Sequence, residues 1–291
     1  MPRYAYVNGR YVRHAEAAVH IEDRGYQFAD AVYEVVTVLG GRLVDEDGHL
    51  ERLGRSLGEL GMAWPMARRP LSLVMRELVR RNRLRDGIVY LQIGRGVAPR
   101  EFRFPKGVAP TLVMTTRRAD LDPPQAAEGV AVITIPDIRW RRRDIKTVML
   151  LAQVLGKQQA AEAGAYEAWQ VEDGLVTEGT SSNAWIVTAE GRLVTRAPTH
   201  AILNGVTRRS LLRLAEAHGL TVEERAFTVA EALAAREAFI SSATTFALAV
   251  VRIDGQPVGD GRPGPFTQRL RAAYRAYAEG AGAGPAVPAL R

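Results

Sequence analysis

Residues 137–160 read DIRWRRRDIKTVMLLAQVLGKQQA and join a run of charged residues to an apolar stretch. The spacing of the apolar residues predicts a helix from about Val148 to Glu162, with Lys146 at its entrance. Among 39 basic residues, only Lys106, Lys146 and Lys157 are lysines. Where almost every basic position is arginine, a retained lysine indicates chemistry that needs an amine able to lose its proton or form a Schiff base, which a guanidinium cannot do.

Two interpretations of Lys146 stay open on these residues alone. The apolar neighbours Ile145 and Val148 would partly desolvate the amine and favour its uncharged, nucleophilic form. A lysine at a helix start can equally extend along the apolar surface and keep its charge in water.

Two further segments are ambiguous in the same way. Glu178, in the stretch VTEGTSSN at 176–183, either begins a turn and strand or presents a carboxylate to a ring nitrogen. The stretch LNGVT at 203–207 opens a helix whose first backbone N–H groups suit a phosphate, although most helix starts bind no anion.

Helices and strands alternate irregularly along the chain. A hairpin is predicted at 4–12 and strands at 31–39, 42–44, 87–93, 111–115 and 130–135, followed by a strand cluster over 167–194 and strands near 222, 238 and 248; helices are predicted at 49–60, 71–84, 148–162, 207–218 and 266–277. The irregular order argues against a doubly wound sheet or an eight-fold barrel and favours a mixed α/β, or α+β, fold.

The segment RADLDPPQ at 118–125 breaks all periodicity and predicts a domain boundary. We therefore expect a small N-terminal α/β domain at 1–118, an interdomain loop at 119–125 and a larger C-terminal domain at 126–280 that carries Lys146. The glycine- and alanine-rich residues 281–291 are expected to form a flexible tail.

The composition excludes several classes of chemistry. The absence of cysteine rules out disulfides, thiolate nucleophiles and sulfur-ligated metal sites, and the five histidines lack the spacing of metal ligands, so no metal is expected.

No apolar run is long enough for a membrane span and no apolar leader precedes Tyr4, so a cytoplasmic protein without membrane contact is expected. The net charge of +7 raises nucleic acid as a partner, but the arginines are scattered and no binding motif accompanies them.

Seven segments together carry a resemblance that no single motif carries. They are EDRGYQFADAVYEVV at 22–36, GHLERL at 48–53, GRGVAPR at 94–100, DIRWRRRDIK at 137–146, TEGTSSN at 177–183, LNGVTR at 203–208 and FISSATT at 239–245. In their order and spacing the chain resembles the class IV, or fold type IV, aminotransferases, and within that class the D-amino-acid aminotransferases. The likeness extends from about Tyr4 to Tyr277.

The resemblance implies pyridoxal 5'-phosphate as the cofactor, held by Lys146, whose amine then moves the proton during amino transfer. It assigns Glu178 to the pyridine nitrogen and Leu203 to one face of the ring. The remaining cofactor-binding residues that it implies are Arg52, Val206 and Thr207 at the phosphate, with Ser181, Ser242 and Thr244 as further hydrogen-bonding residues.

The resemblance also implies a substrate site and a homodimer. Tyr33 and Arg139 match positions near the substrate, and Arg100 matches an arginine that binds the substrate carboxylate from the neighbouring subunit. Two departures stand out: Phe102, followed by Arg103, replaces a histidine that shares the carboxylate, and Ala243 replaces a common threonine of the phosphate cup. Both departures concern groups that bind anions.

The implied activity is transamination of D-amino acids with a 2-oxo acid acceptor, 2-oxoglutarate or pyruvate, in a ping-pong reaction through a pyridoxamine phosphate form. The alternatives are an R-selective amine transaminase, a branched-chain aminotransferase and, less well matched, a lyase of the aminodeoxychorismate type. A basic nucleic-acid-binding protein on a degenerate transaminase fold is a distant alternative, since it would not need Lys146, Glu178 and Arg52 together.

Overall fold

The computed structural model describes residues 3–280, so the tail expected at 281–291 lies outside the described residues. The chain divides into two compact units. Within the described residues, the first contains 3–121 together with Ile145–Leu150, and the second contains Asp122–Asp144 and 151–280.

Six strands and three α-helices make up the described part of the first unit. The strands are β1 (Tyr4–Val7), β2 (Arg10–Arg13), β3 (Ala31–Leu39), β4 (Arg42–Leu43), β5 (Gly87–Gly94) and β6 (Thr111–Arg118), and the helices are α1 (Arg24–Phe28), α2 (Glu46–Glu59) and α3 (Arg68–Arg81). The short helix α1 was not predicted from the sequence. Asp23 caps it by accepting a hydrogen bond from the backbone N–H of Tyr26.

The strands of the first unit form one antiparallel sheet in the order β2-β1-β6-β5-β3-β4. One face packs its valines and leucines against the apolar faces of α2 and α3, including Leu53 and Leu71, which are fully buried. Since side chains alternate along a strand, Tyr33, Tyr90 and Gln92 lie on the opposite face, where Tyr33 pairs directly with Gln92. Tyr33 is the candidate site residue on that second face, whereas the next residue, Glu34, is on the face that packs against α2.

The segment Ile145–Leu150 is placed differently from the sequence prediction. The backbone N–H of Tyr33 donates to the carbonyl of Lys146 (3.0 Å) and the N–H of Val148 donates to the carbonyl of Ala31 (3.1 Å), so the segment runs beside β3. Ile145 is buried in the core of the first unit. Lys146 therefore lies on an extended segment that groups with the first unit, and the following helix begins at Leu151, not near Val148.

Nine strands and five helices make up the described part of the second unit. The strands are β7 (Val130–Pro136), β8 (Glu167–Glu172), β9 (Leu175–Gly179), β10 (Asn183–Val187), β11 (Leu193–Thr195), β12 (Val222–Glu224), β13 (Glu237–Ser242), β14 (Phe246–Ile253) and β15 (Gln256–Pro257), and the helices are α4 (Gln125–Glu128), α5 (Leu151–Glu162), α6 (Val206–Ala217), α7 (Val229–Leu233) and α8 (Pro265–Ala278).

These strands form a mixed sheet in the order β12-β11-β10-β13-β14-β7-β8-β9, with β15 beside β14. The central strands β10, β13 and β14 are mostly apolar, and Trp185 stacks on Phe239 with ring centroids 5.2 Å apart. Glu237 accepts hydrogen bonds from the backbone N–H groups of Phe266 and Thr267, which fastens the start of α8 to β13. In residues 3–280 no helix is both long enough and apolar enough to cross a membrane.

Candidate active site

Lys146 carries an amine without a polar partner. Its Nζ lies 4.3 Å from the centre of the Tyr33 ring, and within residues 3–280 it makes no hydrogen bond or ion pair. The other two lysines differ: Lys157 donates to the carbonyl of Tyr166 (2.7 Å) and pairs with Glu167 (3.3 Å), and Lys106 is exposed. Hydrogen bonds to β3 thus fix the backbone of Lys146, while within residues 3–280 no polar group engages its amine.

A buried carboxylate organises the rest of the first unit's candidate site. Glu34 is fully buried, and both of its oxygens accept hydrogen bonds from the guanidinium of Arg52, at 2.8 and 2.7 Å. His49 approaches the same carboxylate at 2.7 Å through Nδ1. Arg52 was predicted from the sequence, whereas Glu34 and His49 were not. The two hydrogen bonds to Glu34 fix the plane of the Arg52 guanidinium.

The ionisation of this trio follows from its contacts. Burial alone would raise the pKa of Glu34, but the Arg52 charge, the Arg52 hydrogen bonds and the His49 contact together lower it to about 2. Burial lowers the pKa of His49, although the Glu34 carboxylate opposes that shift. We therefore assign a neutral His49 that donates from Nδ1 to an ionised Glu34.

A second buried carboxylate, Glu178, is the centre of the second unit's candidate site. It accepts hydrogen bonds from Arg139 Nη1 (2.5 Å), from Asn183 Nδ2 (3.0 Å) and from the backbone N–H of Leu203 (3.1 Å). The structure thus brings together the predicted residues Glu178, Arg139 and Leu203. Asn183 ends the stretch TEGTSSN but was not predicted as a site residue. Its hydrogen bond to Glu178 adds it to the site.

Arg139 is held by a second acid as well. Its Nε and Nη2 donate to the two oxygens of Asp137, at 3.0 and 2.7 Å, and Asp137 also accepts from the hydroxyl of Thr177. Burial raises the pKa of Glu178, while the Arg139 charge and the hydrogen bonds to the carboxylate oppose that rise. The pKa of Asp137 is lowered, since its Arg139 and Thr177 contacts outweigh burial. Because the Arg139 guanidinium also binds Asp137, it offsets only part of the effect of burial on Glu178. The pKa of Glu178 therefore stays raised, and its carboxylate remains a good proton acceptor.

The start of α6 offers donors for an anion. Gly205 occupies the N-cap position and no side chain caps the helix, and among the described contacts the backbone N–H groups of Val206 and Thr207 make no hydrogen bond. A Cβ at Gly205 would lie 2.1 Å from Asn183 Oδ1, so only glycine fits beside that amide. These groups have the donor chemistry that a phosphate requires.

The predicted hydroxyl residues have identifiable partners. Ser242 contacts the hydroxyls of Thr244 (3.4 Å) and Thr245 (2.8 Å) in the turn between β13 and β14. Ser181 donates to Glu167 (2.8 Å), and the hydroxyls of Thr180 and Ser182 donate to the same carboxylate.

Glu167 is therefore a further residue that the sequence did not identify. A serine hydroxyl has one proton to donate. While Ser181 donates that proton to Glu167, its oxygen can only accept from a ligand.

The predicted carboxylate-binding residues cluster with aromatic rings of the first unit. The guanidinium of Arg100 lies 5.0 Å from the centre of the Phe28 ring and 5.8 Å from that of Phe102. Phe102 packs on Phe28 at 5.5 Å but stays 77% exposed. Arg103 pairs with Glu101 at 3.2 Å, an exposed pair of small energetic value.

The low pKa of Glu34 predicts a pH-dependent stability. A carboxyl with a pKa of about 2 in the folded chain, against 4.5 ordinarily, stabilises the fold above pH 4.5, and this contribution is lost as the pH falls through 2. Urea titrations give the unfolding free energies of the wild type and of Glu34→Gln. The difference between these two free energies should therefore shrink by about 3 kcal/mol between pH 5 and pH 2. Glu216→Gln, at an exposed position of α6, is the matched control. A pH-independent difference for Glu34→Gln would contradict the assignment.

Comparison with known proteins identifies the family. Residues 31–253 match the family model of amino-transferase class IV. A D-alanine aminotransferase of Bacillus licheniformis is 44% identical over 268 residues, which are 92% of this chain and 94% of that protein. One of Staphylococcus aureus (strain MSSA476) is 38% identical over 275 residues, 94% of this chain and 97% of that protein.

The fold resembles a solved branched-chain amino acid aminotransferase of Thermobaculum terrenum in its pyridoxal phosphate form, with a TM-score of 0.84, 26% identity and coverage of 96% of this chain and 94% of that one. The predicted mixed α/β architecture and the predicted family are both confirmed. The family match spans Arg52, Lys146, Glu178 and the start of α6, so the chain belongs to the class IV aminotransferases.

Proposed function

We propose that this protein transfers the amino group of a D-amino acid to a 2-oxo acid and uses pyridoxal 5'-phosphate as its cofactor. The observation that carries the proposal is the unpartnered amine of Lys146 in a chain that is 44% identical, over 92% of its length, to a D-alanine aminotransferase. The family match favours this activity over a nucleic-acid-binding role.

The residues present fit the cofactor group by group. The phosphate requires donors, and the guanidinium of Arg52 and the open backbone N–H groups of Val206 and Thr207 each have that chemistry. The pyridine nitrogen requires an acidic partner, which the buried Glu178 supplies. Ser242 and Thr244 add hydroxyls. When bound, pyridoxal phosphate supplies an electron sink for the bond broken at the substrate α-carbon.

Each residue then has a role in the transfer. Lys146 Nζ would hold the cofactor, and its amine would move the proton from the substrate α-carbon. Glu178 holds a proton at the ring nitrogen, and its raised pKa suits a shared proton better than that of an exposed carboxylate. Arg139 keeps the Glu178 carboxylate oriented. Tyr33, whose ring lies beside Lys146 Nζ, limits the directions in which the amine can move.

The assembly and the substrate contacts belong to the same proposal. A homodimer is proposed in which Arg100 of one copy binds the substrate carboxylate of the other, and a cytoplasmic location stays a prediction. Phe102, where a histidine would donate a hydrogen bond, weakens the hold on a carboxylate. This change is the observation that favours R-selective amine transamination as a second candidate activity.

One experiment tests the proposed function directly. The purified protein is reduced with borohydride and its peptides are mapped, and amino transfer is assayed with paired D- and L-alanine and paired R- and S-amines. We expect a pyridoxyl adduct on Lys146 and transfer from D-alanine but not L-alanine. An adduct on Lys106 or Lys157, or a preference for L-alanine, would overturn the proposal.

The exposed Phe102 ring predicts a shift in substrate preference. Phe102→His restores a hydrogen-bond donor, so the Michaelis constant for D-amino acids should fall by roughly 10- to 150-fold, the equivalent of one charge-assisted hydrogen bond of about 1.5–3 kcal/mol. Activity with R-amines, which lack a carboxylate, should not gain. Leu73→His, which introduces the same imidazole at an exposed apolar position of α3, serves as the control. Unchanged Michaelis constants for both substrates would show that Phe102 does not face the carboxylate.

A further inference from the structure

The loop between β5 and β6 carries Arg100 on a stretch with few backbone contacts. The start of the loop is tied to α1, since the backbone N–H of Arg24 donates to the carbonyl of Gly96 at 2.9 Å. Within residues 3–280, the loop residues 99–107 make no backbone–backbone hydrogen bond. The position of this stretch therefore depends on side-chain contacts.

The guanidinium of Arg24 provides such a contact. Its Nη1 donates to the carbonyl of Glu101, and its Nη2 donates to the carbonyl of Phe102 at 3.4 Å. The carboxylate of Glu101 binds only within the loop in these contacts, because it accepts from the backbone N–H groups of Phe102 and Arg103. Arg24 thus links the two residues that follow Arg100 to α1.

Asp30 fixes the Arg24 guanidinium from its other side. Arg24 is 3% exposed, and its Nε donates to Asp30 Oδ2 at 2.9 Å. The same oxygen accepts from Nε of Arg95 at 2.7 Å, and Arg95 in turn donates to the carbonyl of Leu60 at 2.8 Å. A planar guanidinium that is bound to a carboxylate and to two carbonyls has little freedom to turn.

The Phe28 ring of α1 adds an aromatic contact to the loop. Its centre lies 4.7 Å from the guanidinium carbon of Arg24, 5.0 Å from that of Arg100 and 5.5 Å from the centre of the Phe102 ring. Arg100 is exposed, and within residues 3–280 its guanidinium makes no hydrogen bond or ion pair. Its donors are open to a carboxylate, and their position depends on the loop backbone and on Phe28.

We propose that Arg24 is a positioning residue for the substrate carboxylate, because its hold on the carbonyls of Glu101 and Phe102 fixes the loop that presents Arg100. The inference rests on the proposed function, in which Arg100 binds that carboxylate. A lysine at position 24 has a single ammonium group, so it cannot bind Asp30 and both carbonyls together. The loop would then take several shapes, and Arg100 would bind a carboxylate less well.

Limited proteolysis tests the hold on the loop and needs neither cofactor nor substrate. Arg24→Lys keeps the charge and keeps a trypsin site, so the number of trypsin sites is unchanged. Trypsin should cut after Arg100, Arg103 or Lys106 at least about tenfold faster in this variant, since hydrogen bonds from a charged donor are lost and cleavage follows the population of the open loop. Arg76→Lys, at an exposed ion pair of α3, is the matched control and should be cut like the wild type.

Kinetics with D-alanine test the consequence for the substrate. The Michaelis constant of Arg24→Lys should rise at least about tenfold, while kcat stays within about twofold of the wild-type value, because the lost contact binds the carboxylate and does not act on the reacting bond. A general defect of the fold would lower kcat instead. If Arg24→Lys does not fold, Asp30→Asn removes the charge that orients Arg24, and the same two results are expected from it.

The two measurements separate this proposal from the proposed function. Equal cleavage of the loop in the wild type and in Arg24→Lys, or faster cleavage with an unchanged Michaelis constant, would overturn the proposal. If the wild type does not convert D-alanine, the proposed function fails and the carboxylate role of Arg24 fails with it. The proteolysis then still decides whether Arg24 holds the loop.

Discussion

The second unit's candidate site depends on how the buried Glu178 carboxylate is kept in place. Three donors from separate elements reach it: Arg139 after β7, Asn183 at the start of β10, and the backbone of Leu203 before α6. Removing a partner from a buried ion pair typically costs about 3–5 kcal/mol, so these segments are mutually constrained. The turn before β10 and the open start of α6 are positioned by the same carboxylate.

Glu34 and Glu178 show how the same residue type acquires two different properties. Glu34 receives a complete guanidinium fork and a histidine, which outweigh burial and lower its pKa to about 2, so it remains a fixed negative charge that orients Arg52. Glu178 shares Arg139 with Asp137, and burial raises its pKa. A fixed charge suits a structural role, whereas a carboxylate with raised proton affinity suits a partner for a protonated ring nitrogen.

The sequence located the secondary-structure elements better than the partners of the candidate site residues. The scarcity of lysine drew attention to Lys146, and periodicity located α2, α3 and α8 within a few residues. The pairing of Ile145–Leu150 with β3 was missed, because contacts across more than a hundred residues leave no local pattern. The roles of Asp137 and Glu167 were also missed, because an isolated acidic residue in the sequence does not show which arginine or hydroxyl groups the fold brings to it.

The central claim, that Glu178 acts on the ring nitrogen of the cofactor, is tested by single-turnover spectroscopy of Glu178→Gln with D-alanine. Glutamine occupies nearly the same volume but cannot hold the nitrogen protonated. The account predicts that the variant retains its cofactor while the first half-reaction slows at least about tenfold, the equivalent of one unit of pKa. The exposed control Glu216→Gln should react like the wild type. A Glu178→Gln protein that consumes D-alanine at the wild-type rate would contradict the account.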